Sequence, residues 1–131
     1  MKKVYTTKFL AILLVLLFAG CGIAPIHNYN TPISPKYSNL SMDKIEKSIL
    51  SAGTVLGWKM KKSNDGEIIG TLALRNHFAQ VKVLYTTKSY QILYMKSTAL
   101  NYNQEKNTIH NNYNGWVQNL NNGILRNITI Y

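Results

Sequence analysis

The chain has 131 residues, with 15 Lys and Arg against 5 Asp and Glu, a formal charge of +10 and a single cysteine. That length suits one domain. One thiol excludes an internal disulfide and a cysteine-rich metal centre, and so few carboxylates leave little material for a paired-carboxylate active site.

Lys2, Lys3 and Lys8 precede an uncharged apolar segment from Phe9 to Ala19, and the small residues Ala19 and Gly20 follow. These are the parts of a secretory signal. As a helix the apolar segment would be about 16 Å long against roughly 30 Å of hydrocarbon, too short for a permanent span. The break Leu17-Phe18-Ala19-Gly20-Cys21 resembles the lipobox of bacterial lipoproteins, in which the cysteine receives diacylglycerol on its sulfur before the signal is cut. Ala19, Gly20 and Cys21 match it, while Phe18 stands where that family prefers leucine. The resemblance implies lipidation at Cys21, which becomes the mature N-terminus. Several acyl chains, each buried CH₂ contributing about 0.8 kcal/mol, would make the lipid bilayer an effectively permanent partner.

Loss of residues 1–20 removes Lys2, Lys3 and Lys8 from the 15 basic residues, leaving 12 against 5 acidic and a charge of +7. Outside the cell such a surplus points to anionic lipid headgroups, lipopolysaccharide or another anionic envelope polymer, or an acidic envelope protein, and export argues against nucleic acid. A plain lysine- and asparagine-rich composition is the competing explanation.

Residues 21–40 hold all three prolines, Pro25, Pro32 and Pro35, among Gly, Ser and Asn, and read as a tether whose later part lies along the domain. An α+β domain is expected over 41–131. Its first helix starts at Ser41, with Asp43 in the first turn and Met42, Ile45, Ile49 and Ala52 on one face, and stops at Gly53. From Thr54 to Tyr102 the period becomes two. Trp58 and Met60 share one face of a strand, and Lys59 and Lys61 the other. Asp65-Gly66 supplies a hairpin turn to a strand over 67–74. A further strand spans about 78–85, and Tyr90, Ile92 and Tyr94 mark the next. Short turns require antiparallel neighbours. A last helix is expected near Asn107 or Thr108, carrying Ile109, Tyr113, Trp116, Val117, Leu120 and Ile124 as its apolar stripe. Both helices should cover one face of an antiparallel sheet of three or four strands.

No metal signature appears, because His27, His77 and His110 are scattered without carboxylates at ligand spacing. No cofactor motif appears either. Two residue sets compete for a functional role. Lys59, Lys61, Lys62 and Lys82 form a candidate surface for a protein partner or an anionic polymer. Arg75, His77, His110 and Asn114 form a candidate polar cluster within a wider polar set that includes Ser97 and Asn101, and Arg75, His77 and His110 would serve a small periplasmic ligand-binding protein or hydrolase. Such a set equally serves to satisfy buried backbone groups. With no nucleophile beside a base, the expectation is a non-enzymatic envelope-associated binding module.

Gly57-Trp58, Tyr90-x-Ile92-x-Tyr94-x-x-Ser97-x-x-Leu100-x-Tyr102 and Ile109-His110-x-x-Tyr113-Asn114-x-Trp116-Val117-x-x-Leu120 are similar to segments of small proteobacterial lipoproteins without an assigned activity. The resemblance covers about residues 41–125, implies an α-β-β-β-α type domain on the periplasmic side of the envelope and carries over no catalytic residue. Gly22 is not the aspartate such families use for inner-membrane retention, so an outer-membrane anchor facing the periplasm is expected, with the outer face of the cytoplasmic membrane as the alternative.

Overall fold

A computed structural model describes residues 22–37 and 39–130; the signal and Cys21 lie outside the described residues. The chain is α+β, as expected. Its strands are β1 (Ile23–Pro25), β2 (Tyr29–Pro32), β3 (Lys59–Asn64), β4 (Glu67–Leu74), β5 (His77–Tyr85), β6 (Ser89–Thr98) and β7 (Thr108–His110). Its α-helices are α1 (Met42–Val55) and α2 (Asn111–Thr129), and Pro35–Tyr37 forms one short 3-10 turn. The main sheet has five antiparallel strands in the order β2-β6-β5-β4-β3, and β1 pairs with β7 in a second, two-stranded ribbon. No described helix is long and apolar enough to cross a membrane.

α1 begins where its capping chemistry dictates. The Ser41 hydroxyl accepts a hydrogen bond from the Lys44 N–H at 3.3 Å, and Asp43 lies in the first turn. The helix does not stop at Gly53. It continues to Val55 and closes through Gly57 at φ 86°, with Trp58 N–H donating to Gly53 O at 2.9 Å and Gly57 N–H to Thr54 O at 3.1 Å. This reciprocal pattern satisfies two terminal carbonyls and requires a left-handed residue, which glycine supplies. Gly53 instead sits buried under Met60, where a β-carbon would collide with the thioether.

The segment expected as a tether is part of the fold. Tyr29–Pro32 adds a fifth strand at the edge of the main sheet against β6, and Ile23–Pro25 pairs with β7. Pro25 and Pro32 stand at the last position of their strands, and proline is tolerated at such margins because the missing N–H interrupts no central ladder. Ile33 is buried and donates its N–H to Lys88 O at 2.8 Å, while Ile26, Tyr29 and Tyr37 pack against the core.

Pairing of the N-terminal segment also explains why α2 starts later than expected. Thr108, Ile109 and His110 are drawn into β7, and His110 becomes the helix cap, its Nδ1 accepting from Asn112 N–H at 3.1 Å. Tyr113, Val117, Leu120, Ile124 and Ile128 then face the sheet. The core lies between the helices and one sheet face, where Ile45 and Ile49 of α1 meet Ile68, Val81, Val83, Tyr90 and Ile92. Burial of these side chains supplies the main driving force, about 25 cal/mol per Å² of apolar surface. Trp116, expected in the stripe, is only half-buried at the rim, edge-on to His77 at 6.4 Å between ring centroids.

Candidate functional site

The strand periodicity that buries one face of the sheet turns Lys59, Lys61, Ile69, Thr71, Gln80, Lys82 and Lys96 to the other. Registers place these side chains in rows across the strands. Lys59 lies opposite Thr71, Thr71 opposite Gln80 and Gln80 opposite Lys96; Lys61 lies opposite Ile69, and Ile69 opposite Lys82. Both described helices lie on the opposite face. Between β3, β4 and β5 the surface sinks into an open groove of about 600 Å³, lined by Lys59, Lys61, Lys62, Ser63, Ile69, Thr71 and Gln80.

Hydrogen bonds and charges set the character of this groove. Gln80 Nε2 donates to Thr71 Oγ1 at 3.1 Å, fixing the two polar side chains of the floor beside the apolar Ile69. Lys59 and Lys61 are exposed and form no ion pair among the described residues. Two uncommitted ammonium groups over a floor that is part apolar and part amide can bind an extended anionic chain. The one groove hydroxyl held on a carboxylate among the described residues is that of Ser63, 2.7 Å from Glu67, and the lowered pKa of that carboxyl makes it a weak base for activating a nucleophile.

The four lysines singled out in the sequence are not equivalent. Lys82 shares the open face but pairs with Glu67 at 3.3 Å. Lys62 directs its ammonium away from the face, to Glu46 of α1 at 2.9 Å and Asp65 at 3.2 Å. The hydrogen bond to Glu46 and then the one to Asp65 raise the Lys62 pKa above the ordinary lysine value. The Ser63 hydroxyl donates to Glu67 at 2.7 Å, and this bond, ahead of Lys82, holds the Glu67 carboxyl below its usual range. Ser63, Ile69, Thr71 and Gln80 were not singled out in the sequence. The signal that locates them is the Asp65-Gly66 turn, which sets the β3–β4 register, together with the irregularity between Lys62 and Asn64 that shifts it.

The polar cluster does not converge on a shared interaction. Arg75 sits in the β4–β5 turn at φ 56°, and His77 meets Trp116. His110 caps α2. Asn114 holds the N-terminal segment with both ends of its amide, Nδ2 donating to Pro25 O at 2.8 Å and Oδ1 accepting from His27 N–H at 3.0 Å. No hydrogen bond among the described residues joins Arg75 or His77 to His110 or Asn114. Ser97 bonds the Tyr94 hydroxyl at 2.9 Å, and Asn101 adopts φ 51°. No group of three or more His, Cys, Asp or Glu able to hold a metal ion occurs among the described residues.

No family model, curated protein or solved structure matches this chain.

Proposed function

We propose that this chain is a lipid-anchored bacterial envelope protein, acylated at Cys21, whose domain works as a non-enzymatic binding module for an anionic partner. The reading of the anchor rests on the basic, apolar and small-residue order of residues 2–20 followed by Cys21, and on their similarity to lipoprotein signals. Gly22 after the cysteine favours the periplasmic side of an outer membrane. The likeness to small proteobacterial lipoproteins agrees with a domain that carries no catalytic residue.

One observation carries the binding function: Lys59 and Lys61 stand free of carboxylates over the groove floored by Ile69, Thr71 and Gln80. An extended polyanion or an acidic protein segment fits such a surface, and the attraction would weaken with salt. The test is capture from envelope extract by the domain and by its Lys59→Glu/Lys61→Glu variant, at low and at raised ionic strength. Capture that is lost in the variant and falls with salt supports the reading. Capture indifferent to both overturns the groove as the binding surface. Membrane fractionation and N-terminal mass spectrometry of Cys21→Ser test the anchor separately, since a variant that stays membrane-bound and is cut at the same bond overturns it.

A further inference from the structure

The chain enters the fold almost at once after Cys21. Gly22 O accepts a hydrogen bond from Asn111 N–H at 2.9 Å, at the start of α2, and Ile23 already pairs with His110. A free 20-residue tether would give a root-mean-square reach of about 25 Å. A single peptide unit spans 3.8 Å between Cα atoms. Since the Debye length at physiological salt is about 8 Å, the first arrangement would leave the domain outside the field of a charged membrane and the second places it inside.

The end of the molecule that receives Gly22 is well defined. Ile26 N–H donates to Asn107 O at 2.9 Å and Tyr94 N–H to Asn28 Oδ1 at 2.9 Å, so the N-terminal segment lies against the 101–107 loop and the C-terminal half of β6. Phe78 pairs with Thr98, which puts the β4–β5 turn with Arg75 at this same end. Arg75, Lys96 and Lys106 are exposed here without a carboxylate partner among the described residues. Four of the five carboxylates lie at the other end of the strands. Asp65 and Glu67 flank the β3–β4 turn, Glu46 accepts from the Tyr85 hydroxyl at the end of β5, and Asp43 lies one turn earlier on α1. Only Glu105 shares the end near the anchor.

We infer that this acid-poor end is a docking surface for the anionic headgroups of the bilayer that holds Cys21, so that the domain stands on the membrane in one orientation. The inference rests on the lipid-anchor reading above. It makes the N-terminal segment a rigid mount, with Arg75, Lys96 and Lys106 towards the headgroups and Asp65 and Glu67 away from them. The groove then opens sideways along the membrane.

The experiment uses the acylated mature chain purified from membranes, in which the blocked Cys21 leaves a newly introduced cysteine as the one free thiol. Thr98→Cys and Asp65→Cys variants are labelled with a fluorophore and reconstituted into phosphatidylcholine vesicles containing phosphatidylglycerol and a headgroup-attached quencher. Quenching should be severalfold stronger at position 98 than at 65. The difference should shrink in Lys96→Glu/Lys106→Glu and in about 1 M salt, where the Debye length is about 3 Å. Equal quenching at the two positions, or stronger quenching at 65, overturns the orientation. Mass spectrometry of the same samples separates the two levels, because a chain found without acyl groups overturns the anchor itself.

Discussion

The Tyr90 hydroxyl donates to Asn121 Oδ1 at 2.7 Å inside the core, and the Thr31 hydroxyl donates to the same oxygen at 2.9 Å. One buried amide of α2 thereby ties the edge strand β2 and its neighbour β6 to the helix layer. Desolvation pushes the Tyr90 pKa up to about 12, so the phenol keeps its proton and remains a donor. Tyr90→Phe should cost about 1 kcal/mol, the net value of one such bond, whereas Asn121→Leu removes an acceptor shared by two hydroxyls and should cost about 1–3 kcal/mol. Urea unfolding of the domain checks the order, and a Tyr90→Phe change costlier than Asn121→Leu would contradict the shared-acceptor account.

Glu46 and Tyr85 make stability depend on pH at both extremes. The Tyr85 hydroxyl, and next the Lys62 ammonium, hold the Glu46 carboxyl below its ordinary value of 4.5. A depressed folded-state pKa means that its contribution is present above 4.5 and lost as pH falls through the folded value. Tyr85 runs the other way. Desolvation, then its bond to Glu46, raises it to about 12, so its contribution is complete below 10.0 and lost as pH rises towards 12. Thermal midpoints measured against pH should fall at both ends for the wild type, with a shallower acid limb in Glu46→Gln and a shallower alkaline limb in Tyr85→Phe.

Met60 lies over two glycines, Gly53 of α1 and Gly70 of β4, and fills the space that their missing β-carbons leave. Gly53→Ala would gain helix propensity of about 1 kcal/mol, yet the added methyl collides with the Met60 side chain, and overpacking typically costs about 1–3 kcal/mol. The net outcome should be destabilisation, and the cost should shrink or reverse in a Met60→Ala background. A double-mutant cycle by chemical denaturation measures the coupling. Equal effects of Gly53→Ala in both backgrounds would contradict this packing.

Asn114→Ala removes both bonds that clamp Pro25 and His27. The expected result is local, with faster amide hydrogen exchange over residues 23–28 and a global stability loss of about 1–3 kcal/mol at most. In the acylated chain the same change should also narrow the quenching difference between positions 98 and 65, because a released mount lengthens the leash. Unchanged exchange over 23–28 would show that β1–β7 pairing alone holds the segment.

Local signals in the sequence determined much of the helix and strand layout. Ser41 fixed the start of α1 because its side-chain oxygen answers a need created within one turn, and the Asp65-Gly66 turn with its alternating flanks set β3 and β4. The separation of Lys59 and Lys61 from Met60 followed from the two-residue period alone. What depended on partners distant in sequence was decided by the tertiary structure. The proline-bearing segment at 23–32 has little strand character of its own, and it becomes β1 and β2 because β7 and the free edge of β6 offer unpaired backbone groups. Gly53 looked like a helix stop until Met60 packed over it, leaving Gly57 to end the helix. The four lysines are alike as residue types, but Lys62 falls on the face of β3 opposite Lys59 and Lys61, and its ammonium at the groove margin is taken by a carboxylate on α1. Asn114 carries no mark of the backbone groups it satisfies, since Pro25 O and His27 N–H lie more than 80 residues earlier and hydrogen-bond accounting closes only when the chain has folded.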